Sequence, residues 1–131
     1  MTKKVLLCDD EIPILRAAEY KIKKAGYDVR TAEDGEDAWE IILADRPDIL
    51  VTDCQMPRLN GVGLVERLRG HDSTRNLPVL MLTAKGLELS GDDLAQRLNI
   101  RKLIAKPFSP RHLLETIECV FQEQPHVELA K

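Results

Sequence analysis

The fold is decided by residues 49–61, which read Ile49-Leu50-Val51-Thr52-Asp53-Cys54-Gln55-Met56-Pro57-Arg58-Leu59-Asn60-Gly61. An apolar run rich in β-branched residues ends in a carboxylate, and a turn with proline, asparagine and glycine follows. This pattern predicts a buried strand that delivers Asp53 to the end of a sheet. A carboxylate at such a place is costly to keep ionised unless a cation lies near it.

Four further apolar segments alternate with amphipathic ones. The sequence predicts five strands, at residues 5–8, 28–32, 49–53, 78–82 and 102–105. Helical spacing predicts a helix after each strand, the first closed by Gly26 and the last opened by Ser109 and Pro110. Residues 85–91 are predicted to be a loop or the frayed start of the fourth helix. Strands joined through helices pair in parallel, so this order predicts a doubly wound α/β fold with helices on both faces of the sheet.

Length and composition favour one globular domain and exclude several other classes. The chain has 131 residues, of which 44% are hydrophobic and 31% charged, with a net charge of −3. That charge gives no general reason to bind nucleic acid or an anionic membrane. No apolar run is long enough to span a bilayer, so a cytoplasmic location is predicted. We assign residues 1–122 to the domain and 123–131 to a polar C-terminal tail, with Pro125 expected to end the last helix.

The three cysteines carry no framework or metal motif. Their number is odd and no CxxC spacing occurs. A set of disulfides or a structural zinc site is therefore not expected. Small apolar packing is the favoured interpretation of Cys8 and Cys54, over a redox role.

Polar residues follow or end four of the predicted strands. They are Asp9, Asp10, Asp53, Thr83 and Lys106. The carboxyl ends of parallel strands lie at one edge of a sheet, where ligands bind in folds of this class. Each residue alone has an ordinary explanation, such as a turn, a helix cap or a solvated lysine. Their convergence at one edge instead predicts a single site.

The residue types at this edge favour phosphoryl chemistry. Three close carboxylates repel one another, and a divalent cation bound by oxygen ligands, Mg²⁺ or Mn²⁺, would relieve the repulsion. Lys106 offers a point charge and Thr83 a hydroxyl donor to phosphoryl oxygens. Asp53 would then be the nucleophile that accepts phosphate as an acyl phosphate.

With these residues in place, the sequence resembles the CheY-like receiver domains of two-component response regulators, from its start to about Phe121. The resemblance rests on four motifs: Asp9-Asp10; Asp53 with Pro57 and Gly61; Thr83-Ala84; and Lys106-Pro107-Phe108. It implies a (βα)5 flavodoxin-like three-layer sandwich with strand order 2-1-3-4-5. It also implies that Asp53 takes a phosphoryl group from a sensor histidine kinase or histidine phosphotransfer protein.

The resemblance further implies a role for each site residue. Asp10, Asp53 and the backbone carbonyl of Gln55 would ligate Mg²⁺, and Asp9 would act through a water. Thr83 and Lys106 would contact the phosphoryl group. Pro57, Gly61 and Pro107 would be structural, with a cis peptide bond before Pro107.

One departure from the family concerns the conformational switch. Leu103 stands where the family usually carries tyrosine or phenylalanine, and Asn99-Ile100 replaces a more usual Gly-Ala pair. The switch pair would here be Thr83 and Leu103. Two consequences stay open: output through another surface, or a domain that mainly relays phosphate.

The resemblance implies only some of the binding partners of this domain. Ile12, Pro13 and Ile14, beside Pro107-Phe108, would form an apolar rim where kinases of this family dock; for Ile14 a place in the core is an equal alternative. We expect signalling through an unknown downstream protein, and neither nucleic acid nor membrane contacted by this domain. Whether it forms a homodimer stays open.

Three other functions compete with the switch. An aspartyl phosphatase would carry its nucleophile after strand one in an Asp-x-Asp motif, whereas this chain has Asp9-Asp10-Glu11. A flavodoxin-type cofactor site is disfavoured because acidic residues after strand one would repel the phosphate. The alternative that we retain is a receiver-like interaction module that is not phosphorylated. In either case the domain is not an enzyme beyond catalysing its own phosphorylation and dephosphorylation.

Overall fold

The structure is a computed structural model that describes residues 2–84 and 91–129, with side chains described for residues 2–84 and 95–123. Strands and helices alternate along the chain. Their order is β1 (Lys4–Cys8), α1 (Ile12–Lys24), β2 (Asp28–Ala32), α2 (Gly35–Ala44), β3 (Ile49–Asp53), α3 (Gly61–Arg69), β4 (Val79–Thr83), α4 (Gly91–Leu98), β5 (Lys102–Ala105) and α5 (Pro110–Leu129). The segment at 85–91, predicted to be loop or helix start, lies outside the described residues except for Gly91.

The five strands form one parallel sheet in the order β2-β1-β3-β4-β5. The predicted doubly wound fold and strand order are therefore confirmed. β3 lies at the centre, and all five of its residues are buried. The more polar β2 lies at an edge, as its sequence predicts.

Alternating residues of the strands point to opposite faces of the sheet and pack into two separate hydrophobic cores. On one face, Val5, Leu7 and Val51 pack against α1 and α5. On the other, Leu6 and Leu50 pack against α2, α3 and α4. The molecule is thus a three-layer sandwich, and both faces of the sheet are covered, which explains the near-continuous apolar strands.

Side chains cap three of the helices. The side-chain oxygens of Asp34, Asn60 and Ser109 accept hydrogen bonds from the backbone N–H groups three residues later, at 2.9, 2.8 and 3.0 Å. Each bond satisfies one of the free donors at a helix N-terminus. These caps fix where α2, α3 and α5 begin.

Asn99 explains how α4 ends without the glycine that the family usually has. Asn99 adopts a left-handed φ of 54°. The Ile100 N–H donates to the Ala95 carbonyl at 2.9 Å, and the Asn99 N–H donates to the Gln96 carbonyl at 3.3 Å. These two bonds form a Schellman cap, in which asparagine is the commonest substitute for glycine. Asparagine in place of glycine at position 99 therefore preserves the backbone conformation of the helix end.

The last helix extends beyond its predicted end. α5 runs from Pro110 to Leu129, past Pro125, where the sequence analysis expected a break. A proline inside a helix removes one backbone hydrogen bond but does not prevent continuation. The residues around it are glutamine, glutamate, histidine, valine and leucine without a glycine, so no turn former competes with the helix. The assignment of 123–131 as a separate tail stays a prediction.

In the part of the chain that the structure describes, no helix combines the length and apolar character needed to span a membrane.

Candidate functional site

Asp53 lies at the carboxyl end of the central strand. It is 6% exposed and pairs in register with Leu82 of β4. The chain then turns sharply: the Cys54 N–H donates to the Leu82 carbonyl at 2.8 Å, and the Gly61 N–H donates to the Cys54 carbonyl at 2.9 Å. These bonds hold the carboxylate at the edge of the sheet with the start of α3 packed behind it.

Asp9 and Asp10 follow the neighbouring strand β1. Asp9 is 2% exposed, and its Oδ1 accepts the Glu11 backbone N–H at 2.9 Å, whereas Asp10 is exposed. One carboxylate oxygen from each of Asp9, Asp10 and Asp53 lies within 4.8 Å of the others. In the described part of the chain, the buried Asp9 Oδ2 has no well-aligned hydrogen bond. It lies 3.0 Å from the Lys106 ammonium, and the cluster of three carboxylates as a whole suits a cation.

Lys106 brings positive charge to the same place from β5. Its backbone N–H donates to the Thr83 carbonyl at 2.7 Å, and its peptide bond to Pro107 is cis, as the resemblance implied. The side chain is 13% exposed, and Nζ lies 3.0 Å from Asp9 Oδ2, 3.3 Å from Asp53 Oδ2 and 2.5 Å from Glu11 Oε1. The ammonium therefore faces three carboxylates at once.

The pKa values of Asp53 and Lys106 reflect this crowding of charged groups. Burial raises the pKa of Asp53, the Asp9 carboxylate raises it further, and the Lys106 ammonium only partly offsets them. For Lys106, burial lowers the pKa, but hydrogen bonds to Glu11 and Asp9 and the charges of Asp9 and Asp53 outweigh it, so the net shift is upward. Lys106 is thus held as a cation, while ionised Asp53 is destabilised in the folded protein.

A consequence for stability follows from the raised pKa of Asp53. Because the folded state binds this proton more tightly than the unfolded chain, the contribution of Asp53 to stability falls as the pH rises through its folded pKa. We therefore expect Asp53→Asn to unfold at a higher temperature than the wild type at pH 7 without divalent cations. The difference should shrink as the pH is lowered from 7 through the raised folded pKa of Asp53, where the wild-type carboxyl group becomes protonated. Thermal melts across this range, compared with Asp48→Asn, provide the check; a variant less stable at pH 7 would contradict the expectation.

Some of the remaining predicted residues line a cleft together with the carboxylates, whereas Thr83 and Leu103 are not among its lining residues. Asp10, Asp53, Gln55, Pro57 and Lys106 line one open cleft of about 620 Å³, together with Glu11, Met56 and Ala84. Thr83 ends β4 opposite Ala105 and is half-buried, but its hydroxyl makes no hydrogen bond within the described residues. Leu103, opposite Met81, is half-buried in the core beneath α2, α3 and α4.

The two cysteines near this edge behave as apolar packing groups. Cys8 is 1% exposed, and its sulfur lies 3.2 Å from the Met56 sulfur. Burial raises the pKa of the Cys8 thiol to about 12, and burial also raises the pKa of Cys54. Because the thiolate is the reactive form, neither environment favours thiol chemistry near neutral pH.

Glu11 is the site residue to which the sequence analysis gave no role. Its exposed carboxylate makes the shortest of the three contacts with Lys106, although 95 residues separate them. The only sequence signal was its position as the third of three consecutive acids. A flexible side chain at a helix start can point in many directions, so sequence alone could not place it.

Comparison with known proteins places the whole architecture in one family. The sequence model of the response regulator receiver domain matches residues 5–118. The alkaline phosphatase synthesis transcriptional regulatory protein PhoP of Bacillus subtilis is 36% identical over 130 residues, covering 93% of this chain and 50% of its own length. The phosphate regulon transcriptional regulatory protein PhoB of Pseudomonas aeruginosa is 35% identical over 122 residues, covering 92% of this chain and 52% of its own. The chain therefore spans about half the length of these relatives.

A solved structure shows the same fold over nearly the whole domain. The chemotaxis response regulator CheY4 of Vibrio cholerae superposes with a TM-score of 0.84 at 30% identity, covering 92% of this chain and 99% of that one. The three-layer sandwich and its strand order are thus shared with a chain of similar extent.

Proposed function

The chain belongs to the response regulator receiver domain family of two-component signalling, and from that premise we propose that it is a phosphoacceptor switch or relay whose acceptor is Asp53. The observation that carries the proposal is the contact of the Lys106 ammonium with both Asp53 and Asp9 beside an open cleft. A nucleophilic carboxylate, an acidic cluster and a cation are thereby held together on rigid strand ends.

In the proposed reaction, an Asp53 carboxylate oxygen attacks the phosphorus of a phosphohistidine on a kinase or phosphotransfer protein. An O–P bond forms as the P–N bond breaks, and the electron pair returns to the imidazole, which takes a proton from solvent. The product on this chain is an aspartyl phosphate. The raised pKa of Asp53 makes its carboxylate a stronger base, and therefore a stronger nucleophile, than an ordinary aspartate.

The surrounding residues would stabilise the transferring group. Lys106 would donate to a phosphoryl oxygen, since its Nζ already lies 3.3 Å from Asp53 Oδ2. Thr83, at the end of the adjacent strand, would supply a hydroxyl donor. These groups are fixed by strand ends, so little reorganisation would accompany the transfer.

The acidic cluster fits a hard divalent cation. Three carboxylates, each with one oxygen within 4.8 Å of the others, match the oxygen ligands of Mg²⁺. Asp10, Asp53 and the Gln55 carbonyl would hold it directly and Asp9 through a water, with Mn²⁺ as the substitute. When bound, Mg²⁺ supplies positive charge to the phosphoryl oxygens.

Docking and output are part of the same proposal. Ile12 is 38% exposed, and Pro13 beside it is also exposed at the start of α1, next to the cleft. This apolar rim would receive the phosphodonor protein, a cytoplasmic histidine kinase or phosphotransfer domain. The conformational effect of phosphorylation would be transmitted to the downstream protein through Thr83 and the half-buried Leu103.

The test is phosphorylation with a small donor. We expect a gain of one phosphoryl group in the intact mass after incubation with Mg²⁺ and acetyl phosphate. The phosphorylated fraction should stop rising when a chelator is added during the reaction. Asp53→Asn should show no gain. If neither acetyl phosphate nor a phosphohistidine protein modifies the wild type, the phosphoacceptor proposal fails and the interaction-only module takes its place.

A further inference from the structure

The Glu11 contact is the interaction of Lys106 that the proposed chemistry does not use. An ammonium has three N–H donors, and three carboxylates surround this one at 2.5, 3.0 and 3.3 Å. The nearest belongs to Glu11. A phosphoryl oxygen arriving on Asp53 needs one of these donors, so one existing contact has to be released.

Differences in burial indicate which contact is released. The Asp9 and Asp53 side chains are 3% and 9% exposed and are held at strand ends, whereas the Glu11 side chain is 55% exposed. A solvent-facing carboxylate regains water on leaving, whereas the buried Asp9 would lose its partner without compensation, and Asp53 is the group beside which the ammonium has to stay for the transfer. Glu11 is therefore the contact that gives way.

Glu11 also has no evident structural task that would explain its position. It occupies the N-cap position of α1, but its side chain makes no capping hydrogen bond. Its one described ion pair is with Lys106. Replacing the side chain should therefore leave α1 and the fold unchanged.

We propose that Glu11 is a positioning residue that holds Lys106 away from the incoming phosphoryl group and so slows phosphorylation of Asp53. The inference rests on the proposed phosphoacceptor function and adds a restraint on Lys106 to it. Until the phosphoryl group arrives, Glu11 occupies the third donor of the ammonium; transfer requires that this ion pair open first.

The experiment compares initial phosphorylation rates by intact mass at saturating Mg²⁺ and fixed acetyl phosphate. We expect Glu11→Gln to react about two- to fivefold faster than the wild type, the scale set by an exposed ion pair. Glu11→Asp keeps the charge but is one methylene shorter and loses the contact, so it should also be faster. Glu33→Gln removes an equal charge from an exposed residue at the end of β2 and should match the wild type.

Each pattern of rates has a distinct meaning. If Glu11→Asp and the wild type react equally while Glu11→Gln and Glu33→Gln are both faster, long-range repulsion of the anionic donor explains the effect and the restraint is wrong. Equal rates in all four proteins, with the wild type phosphorylated, overturn the restraint alone. Absence of phosphorylation in every protein, first with acetyl phosphate and then with a phosphohistidine protein as donor, overturns the proposed function and the restraint with it. Matching thermal melts of the four proteins would exclude a folding difference.

Discussion

Replacing Lys106 by methionine is expected to lower the rate of phosphoryl transfer to Asp53 by about a hundredfold, the usual effect of removing one pre-positioned charge donor from an active site. Methionine retains the unbranched shape but removes the ammonium that contacts Asp9, Glu11 and Asp53. The charge that develops on the phosphoryl oxygens would then lose its nearest protein cation.

The same variant should also be less stable when divalent cations are absent. Two largely buried carboxylates, Asp9 and Asp53, would be left without a cation, and we expect a loss of about 2 kcal/mol, below the value for fully buried pairs because the cleft is open. Mg²⁺ should restore part of this loss.

Lys102→Met is the matched control for both effects. Lys102 is exposed at the other end of the same strand, so its replacement removes an equal charge away from the cleft. Initial rates from intact mass and urea unfolding with and without Mg²⁺ give the two readouts. A Lys106→Met protein with the rate of the Lys102→Met control would show that Lys106 does not act on the phosphoryl group.

Replacing Gly61 by alanine is expected to destabilise the domain by about 3 kcal/mol, at the upper end of overpacking effects. A Cβ atom at this position would lie 2.0 Å from the Asp53 carbonyl oxygen and 3.1 Å from the Cys54 Cα. These neighbours are backbone atoms at the end of the strand that carries Asp53. The clash can therefore be relieved only by moving α3 away from the end of that strand. Gly61 is needed for this close approach between helix and strand.

Gly63→Ala provides the control for Gly61→Ala. Gly63 lies two residues further along α3, and its nearest obstacle is the Cδ1 atom of the Leu59 side chain at 2.9 Å, which can rotate away. Alanine also has a higher helix propensity than glycine. Denaturant unfolding should therefore show little or no loss for Gly63→Ala. Equal stability of the two variants would contradict the close-packing explanation.

The sequence was sufficient to predict the fold because its signals agree at every level. Apolar strands bounded by turn residues, a cap at Ser109, and helices between strands together permit few topologies. The strand ends then bring Asp9, Asp53 and Lys106 to one edge through backbone geometry alone. Side-chain detail was not needed for that step.

What the sequence could not predict depends on side-chain direction and local competition. The reach of Glu11 to Lys106 depends on two flexible side chains. The placement of the buried Asp9 Oδ2 atom 3.0 Å from the Lys106 ammonium depends on how the neighbouring side chains pack. The continuation of α5 through Pro125 shows a local breaker outweighed by the helix-forming residues around it. Each case is decided by small energy differences that no residue pattern encodes.

The central claim is that Asp53 itself becomes phosphorylated, and the most direct test is chemical mapping of the modified residue. Borohydride reduces an aspartyl phosphate to homoserine, which peptide mass spectrometry locates. After incubation with Mg²⁺ and a phosphodonor, we expect homoserine at position 53 and at no other acidic residue. Homoserine at Asp9 or Asp10, the corresponding five-carbon amino alcohol at Glu11, or unmodified Asp53 in a protein that carries a phosphoryl group, would contradict the account.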